Sequence, residues 1–122
     1  MLSNKTTTQV GQRAEDIALT YLQSNGLVFK AKNFHSRYGE IDLIMQDKDT
    51  YVFIEVKYRK MTGFGGSISA VSNQKQKKIK LSSSFYLQQS NLNEYNTPCR
   101  CDVVALQGEL NNPEITWLKN AF

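Results

Sequence analysis

Cysteine is scarce in this chain: two among 122 residues, Cys99 and Cys101, in the run CRC. A disulfide framework needs more of them, and a structural zinc site needs four ligands at suitable spacing. Histidine is scarcer, with His35 alone and distant from that run. Two reduced thiols account for the pair. No apolar run approaches the roughly 20 residues that a membrane-spanning helix requires. The opening MLSNKTTTQV also lacks the apolar stretch of a secretory signal. The expectation is a cytoplasmic protein with no membrane partner.

What is present fits an ordinary folded chain. Hydrophobic residues make up 40% and charged residues 21%, enough for one domain over 1–122 to bury a core about 8–107 without staples. Fifteen Lys and Arg against eleven Asp and Glu give a net charge of +4. A basic surface attracts phosphates at long range, so the excess favours a polyanionic partner, although many basic proteins bind nothing acidic.

Apolar spacing predicts a helix from about Thr8 to Asn25, with Val10, Ala14, Ile17, Ala18 and Tyr21 as its stripe and Gly26 as its stop. Glu15 borders that stripe in line with Ala18 and Leu22. Strands are expected over Leu27–Phe34, Glu40–Gln46 and Tyr51–Tyr58, the last two joined by a turn at Asp47–Thr50. The Gly- and Ser-rich stretch 60–70 reads as a flexible loop that could close over a DNA backbone. A second helix is expected from Asn73 to Gln89, its apolar side weakened by Ser82–Ser84. Strands at Cys101–Leu106 and Glu114–Lys119 complete the order α-β-β-β-α-β-β, an α/β fold with a mixed central sheet flanked by helices.

The residues out of place lie in GEIDLIMQDKDTYVFIEVKYR, Gly39–Arg59. Strict alternation puts Ile41, Leu43 and Met45 on one face of the first strand and Glu40, Asp42 and Ile44 on the other. With a four-residue turn, Asp42 sits across from Glu55 and Glu40 across from Lys57, Cβ atoms about 4.5–5.5 Å apart. Two carboxylates so placed repel, so either one holds a proton or a cation lies between them. A hard divalent ion such as Mg²⁺ suits one or two carboxylates plus water and phosphate. Lys57 could then orient a water or meet developing charge. A solvated hairpin face with an ordinary Glu40–Lys57 pair is the competing reading. Against it, Ile44, Tyr51 and Phe53 share that face, and the helix bearing Glu15 is the expected cover.

Asp42, twelve residues, then Glu55-Val56-Lys57 resembles the D…(D/E)XK signature of the restriction-endonuclease-like nuclease fold. The chain is more closely similar to the YraN-like family of small bacterial proteins, related to archaeal Holliday junction resolvases. Gly11, Ala14, Glu15 and Ala18, Asn33-Phe34, the block Gly39–Ile44, the block Phe53–Arg59, Phe64-Gly65, Val71, Lys75-Gln76 and Asp102–Val104 carry that likeness, over about Gly11–Leu106. The resemblance implies that Asp42 and Glu55 bind Mg²⁺ (or Mn²⁺), that Lys57 assists the attacking water, and that Glu15 completes the acidic cluster. Lys77 and Lys78 stand where the family more often has arginine, and Ile41 stands where the wider fold often has proline.

Arg59, Lys60, Lys75, Gln76, Lys77 and Lys78 are the candidate nucleic-acid contacts, read as phosphate rather than base contacts. The same lysines would also serve simply to solubilise a helix. Tyr38, Tyr58 and Phe64 are candidates for base stacking. Asp102 beside Arg100 reads as a structural ion pair. The expected activity is Mg²⁺-dependent endonucleolytic cleavage of DNA, on branched or repair intermediates, with a homodimer suited to a two-fold junction. The alternative is a nucleic-acid-binding or scaffold protein that keeps the fold without the chemistry.

Overall fold

The computed structural model describes residues 7–60 and 71–122. Helix α1 (Thr7–Ser24) is followed by strands β1 (Val28–Ser36), β2 (Gly39–Asp47) and β3 (Thr50–Arg59), then helix α2 (Asn73–Gln89) and strands β4 (Cys99–Gln107) and β5 (Glu114–Leu118). The expected order of elements and the α/β class are both found. The proposed loop at 60–70 lies, after Lys60, outside the described residues, as does Phe64.

The five strands lie in sequence order, β1-β2-β3-β4-β5. All neighbours run antiparallel except β3 and β4, which are parallel. A parallel pair needs a crossover, and α2 lies in the connection that makes it.

Local chemistry sets the ends of both helices. Gly26, at φ +94°, ends α1: its amide donates to the Gln23 carbonyl at 3.0 Å, and the Leu27 amide donates to the Leu22 carbonyl at 3.1 Å. That pair of bonds is a Schellman cap, and Leu22 and Leu27 both go into the core behind it. Ser72 caps the start of α2 by accepting from the Lys75 amide at 3.2 Å. The β2–β3 turn needs positive φ at its first central position, and Lys48 supplies it at 57°.

The helices cover opposite faces of the sheet. On one side Ala14, Ala18 and Leu22 of α1 pack on Leu43, Met45, Val52, Ile54, Val104 and Leu106. On the other, Ile79 and Leu87 of α2 pack on Ile44, Phe53 and Cys101. The cover over Phe53 and Ile44 is therefore α2, which corrects the expectation that the Glu15 helix would supply it. The serines that interrupt the α2 stripe do not weaken it. Ser83 is buried and donates to the Ile79 carbonyl at 2.7 Å, while Ser82 lies 2.8 Å from the Ser36 hydroxyl. Hydroxyls paired in this way can face a sheet at little cost.

Beyond the bulge of β1 between Phe29 and Ala31, alternation fails at one place. Leu43 belongs to the α1 side, but Ile41, two residues earlier, packs on the α2 side. Its neighbour strand does the same: Lys32 pairs with Asp16 of α1, whereas Phe34 packs on the α2 side. Between Lys32 and Phe34 stands Asn33, at φ 51°. A left-handed residue turns the chain about its own axis, and Asn tolerates that conformation better than most. The sheet thus exchanges its faces between the pairs Lys32–Leu43 and Phe34–Ile41.

Candidate functional site

The face exchange coincides with a split between β2 and β3. Their ladder runs from Asp47–Thr50 to Leu43–Ile54, in the register expected from the turn. One further step would pair Asp42 with Glu55, and there the backbone ladder stops. β3 itself continues along β4 as far as Arg59–Gln107. The Val56 amide, turned toward β2, donates instead to Asp42 Oδ2 at 2.8 Å. An amide of a strand points within the plane of its sheet, so the Asp42 carboxylate lies between the two strands rather than on one face. That position explains why it feels groups from both helices.

Burial pushes the Asp42 carboxyl up to about 8, reinforced by the charges of Glu55 and Glu15 and opposed by the Val56 amide and by Lys75. Glu55 is buried, and its Oε2 takes an ion pair from Lys75 Nζ at 3.3 Å. The two acids are thus neighbours, as the hairpin register implies. The cation beside them comes from the first turn of α2. Lys57, half-buried, follows Glu55 by two residues on β3, against Ala105 of β4.

Glu15 approaches from the α1 side. It is half-buried, and its Oε1 accepts from Asn33 Nδ2 at 2.8 Å. With Thr8, Gly11, Gln12, Asn33, His35 and Glu40 it lines a pocket of about 320 Å³. Among the described residues no three His, Cys, Asp or Glu side chains gather closely enough to hold an ion by themselves. Asp42 and Glu55 remain as a pair of oxygen donors. They suit a hard divalent cation, because such an ion takes few protein carboxylates and fills its shell with water and phosphate. Burial first, and then the neighbouring acids, raise the Asp42 carboxyl, and an added cation would offset both.

The other candidates fall into two groups. Lys75, Lys77 and Lys78 are exposed on α2, and Lys78 Cβ comes within 3.8 Å of where a Cβ on Gly39 would stand, so this ridge borders the β1–β2 turn. Arg59 is exposed at the end of β3. Gln76 is different: its side-chain amide donates to the Val71 carbonyl at 2.9 Å and so braces the start of α2. Lys60 is drawn toward Glu109, 4.0 Å away, in a pocket with Val10, Arg13 and Tyr58 on the α1 side. It is separated from the α2 ridge. The cross-strand pair expected between Glu40 and Lys57 is not made in the ladder, and Glu40 instead meets His35 Nε2 at 3.1 Å. Tyr58 packs toward α1 and donates to the Gly108 carbonyl at 2.7 Å, an architectural role. Tyr38 carries the Arg37 guanidinium 5.1 Å from its ring centre.

Asp102 is fully buried and structural, as expected. It accepts from Arg100 Nε at 3.0 Å, Trp117 Nε1 at 2.9 Å and the Asn120 amide at 2.8 Å. Burial pushes the Cys101 thiol up to about 11, which suits an inert core thiol.

Two parts of the site were not assigned from sequence. Asn33 orients Glu15; its visible signals are an amide residue inside a strand and its place among the residues that carry the family likeness, and neither points to Glu15. The Val56 amide has no side-chain signal at all.

The model of the uncharacterised protein family UPF0102 matches residues 14–106. A UPF0102 protein of Colwellia psychrerythraea is 61% identical over 119 residues, covering 98% of this chain and 92% of the relative. One from Pseudomonas putida is 48% identical over 116 residues, with 94% of each chain covered. One from Nitrosococcus oceani is 43% identical over 112 residues, covering 92% of this chain and 90% of the relative. The match takes in Glu15, Asn33, Asp42, Glu55, Lys57 and Lys75.

Proposed function

The chain belongs to the uncharacterised protein family UPF0102, and from its split hairpin we propose that it is a divalent-cation-dependent endonuclease acting on DNA. The observation that carries this reading is Asp42 held by the Val56 amide and mostly buried beside Glu55, a pair of oxygen donors set close together. The likeness of Asp42 and Glu55-Val56-Lys57 to the nuclease signature supports it, as does the α/β order.

Asp42 and Glu55 would hold the cation, which when bound polarises a phosphate oxygen and supplies a water of lowered pKa. The chain's own residues do the rest. The Val56 amide anchors Asp42 through Oδ2 and so fixes where the carboxylate stands. Lys57, on the strand that carries Glu55, orients the attacking water and meets charge that develops on the phosphoryl oxygens. Glu15, set by Asn33, acts from behind Asp42 through its charge. Lys75, Lys77 and Lys78 at the start of α2, together with Arg59, take neighbouring phosphates. The free amides of that helix end add partial positive charge. Such contacts read backbone shape and leave sequence almost unread. A branched or flapped DNA, handled by a homodimer with one site per strand, suits this economy.

A second reading rests on the Glu55–Lys75 ion pair, which neutralises one carboxylate without any added ion. In that case the protein binds nucleic acid and does not cut it. Cleavage of duplex, flap and four-way-junction DNA, with Mg²⁺ or Mn²⁺, decides between them. Activity that disappears with chelator and in Glu55→Ala is the expected result. Cutting that survives either condition overturns the assigned site, and tight binding without cutting on every substrate establishes the second reading.

A further inference from the structure

Lys75 differs from its neighbours on α2. Its backbone amide is taken by Ser72 Oγ at 3.2 Å, so the cap fixes where the side chain begins. From there the ammonium reaches Glu55 Oε2 at 3.3 Å, and its charge extends to Asp42. The two partners are unequally exposed: 48% for the Lys75 side chain and 11% for that of Glu55. A buried carboxylate needs a cation beside it, since desolvation otherwise drives it to take up a proton. A half-exposed lysine on a flexible four-carbon stem can leave for water with little loss. The bond is thus needed by one partner and dispensable to the other.

A divalent cation bound by Asp42 and Glu55 would meet the same need and would repel the ammonium at that distance. Resting on the nuclease reading above, we infer that Lys75 is an exchangeable counter-ion: it holds Glu55 until a divalent cation binds, is displaced by that cation, and then pairs with a phosphate of the substrate. The residue that neutralises the site at rest becomes a substrate contact once the site is loaded. Cation and nucleic acid then assist each other's binding, because the phosphate rewards the movement that the cation forces. A lysine that only stabilised the fold would add nothing to the coupling that the cation's own contact with phosphate supplies.

Manganese binding, followed by the electron paramagnetic resonance of the free ion in the absence of nucleic acid, tests the exchange. Lys75→Gln is expected to bind manganese about tenfold more tightly than wild type, because a competing charge is gone. Lys75→Arg, which keeps that charge, should stay within about twofold of wild type, as should the distant Lys119→Gln. Glu55→Gln should lose the site. Without added ion Lys75→Gln should melt below wild type, and manganese should raise its melting temperature by more than it raises that of wild type. In Ca²⁺, Lys75→Gln should bind junction DNA several-fold more weakly. Wild-type binding that Glu55→Gln abolishes but Lys75→Gln leaves within twofold would overturn the exchange and leave the nuclease reading intact. Manganese binding in Lys75→Gln alone is the expected result in stronger form. No carboxylate-dependent binding in either protein would overturn both.

Discussion

Asp42 is where burial, repulsion and hydrogen bonding contend on one carboxyl. Its folded value of about 8 lies above the ordinary 3.8, so between those limits the native state keeps a proton that the unfolded chain releases. Raising the pH through that window therefore weakens folding, and the stabilising contribution is fully present only below about 4. Asp42 is mostly buried but still reached by solvent, and screening reduces the effect to about 1–2 kcal/mol. Asp42→Asn should accordingly be more stable than wild type at pH 8.5 and equal to it near pH 3.5, in thermal melts across that range. Asp102 behaves in the opposite way under substitution. Its three partners and full burial mean that Asp102→Ala leaves half-buried Arg100 without its main counter-charge, with Asp47 at 3.2 Å alone remaining. A loss of about 3–5 kcal/mol is expected in urea unfolding, with no direct effect on the acid pair.

At the scale of elements, the strands, helices and their order were legible because apolar periodicity and turn residues are local signals. The β2–β3 register could be read for the same reason: the turn at Asp47–Thr50 fixes it. What alternation could not reveal is the exchange of faces at Asn33, which comes from backbone handedness and not from a pattern of side chains. For that reason alternation puts Ile41 on the face of Leu43, whereas it packs on the other. The cover of Phe53 by α2 is likewise not legible locally, since the side of a sheet that a helix takes depends on long-range packing. Asn33 offers a direct check. Asn33→Gly keeps the left-handed backbone and loses only the bond to Glu15, whereas Asn33→Val also strains the chain. The valine variant should be less stable than the glycine variant by about 1–2 kcal/mol. Both should lower the apparent pKa of Asp42 if Glu15 turns away into solvent, a change measurable by carboxyl carbon NMR.

For the molecule as a whole, a net charge of +4 and a pI of about 9.1 are modest, so affinity for nucleic acid depends on where the charges lie. Lys75, Lys77, Lys78 and Arg59 amount to about four phosphate contacts, which predicts about a hundredfold loss of affinity between roughly 50 and 200 mM salt. Charge-neutral variants at Lys77 or Lys78 should each reduce the slope of log affinity against log salt by about one. Lys60, drawn to Glu109 on the α1 side, should leave that slope unchanged. Among the described residues no helix is long and apolar enough to cross a membrane.

Because the Val56 amide donates to a side chain and not to the neighbouring strand, its proton is an inbuilt reporter. In a two-dimensional amide spectrum that peak should follow every change of charge on its acceptor. It should move with pH around the carboxyl's midpoint, move again on addition of diamagnetic Mg²⁺, and stay fixed when the acceptor is made an amide. A single resonance would then give proton occupancy, ion occupancy and their competition without any substrate being cut.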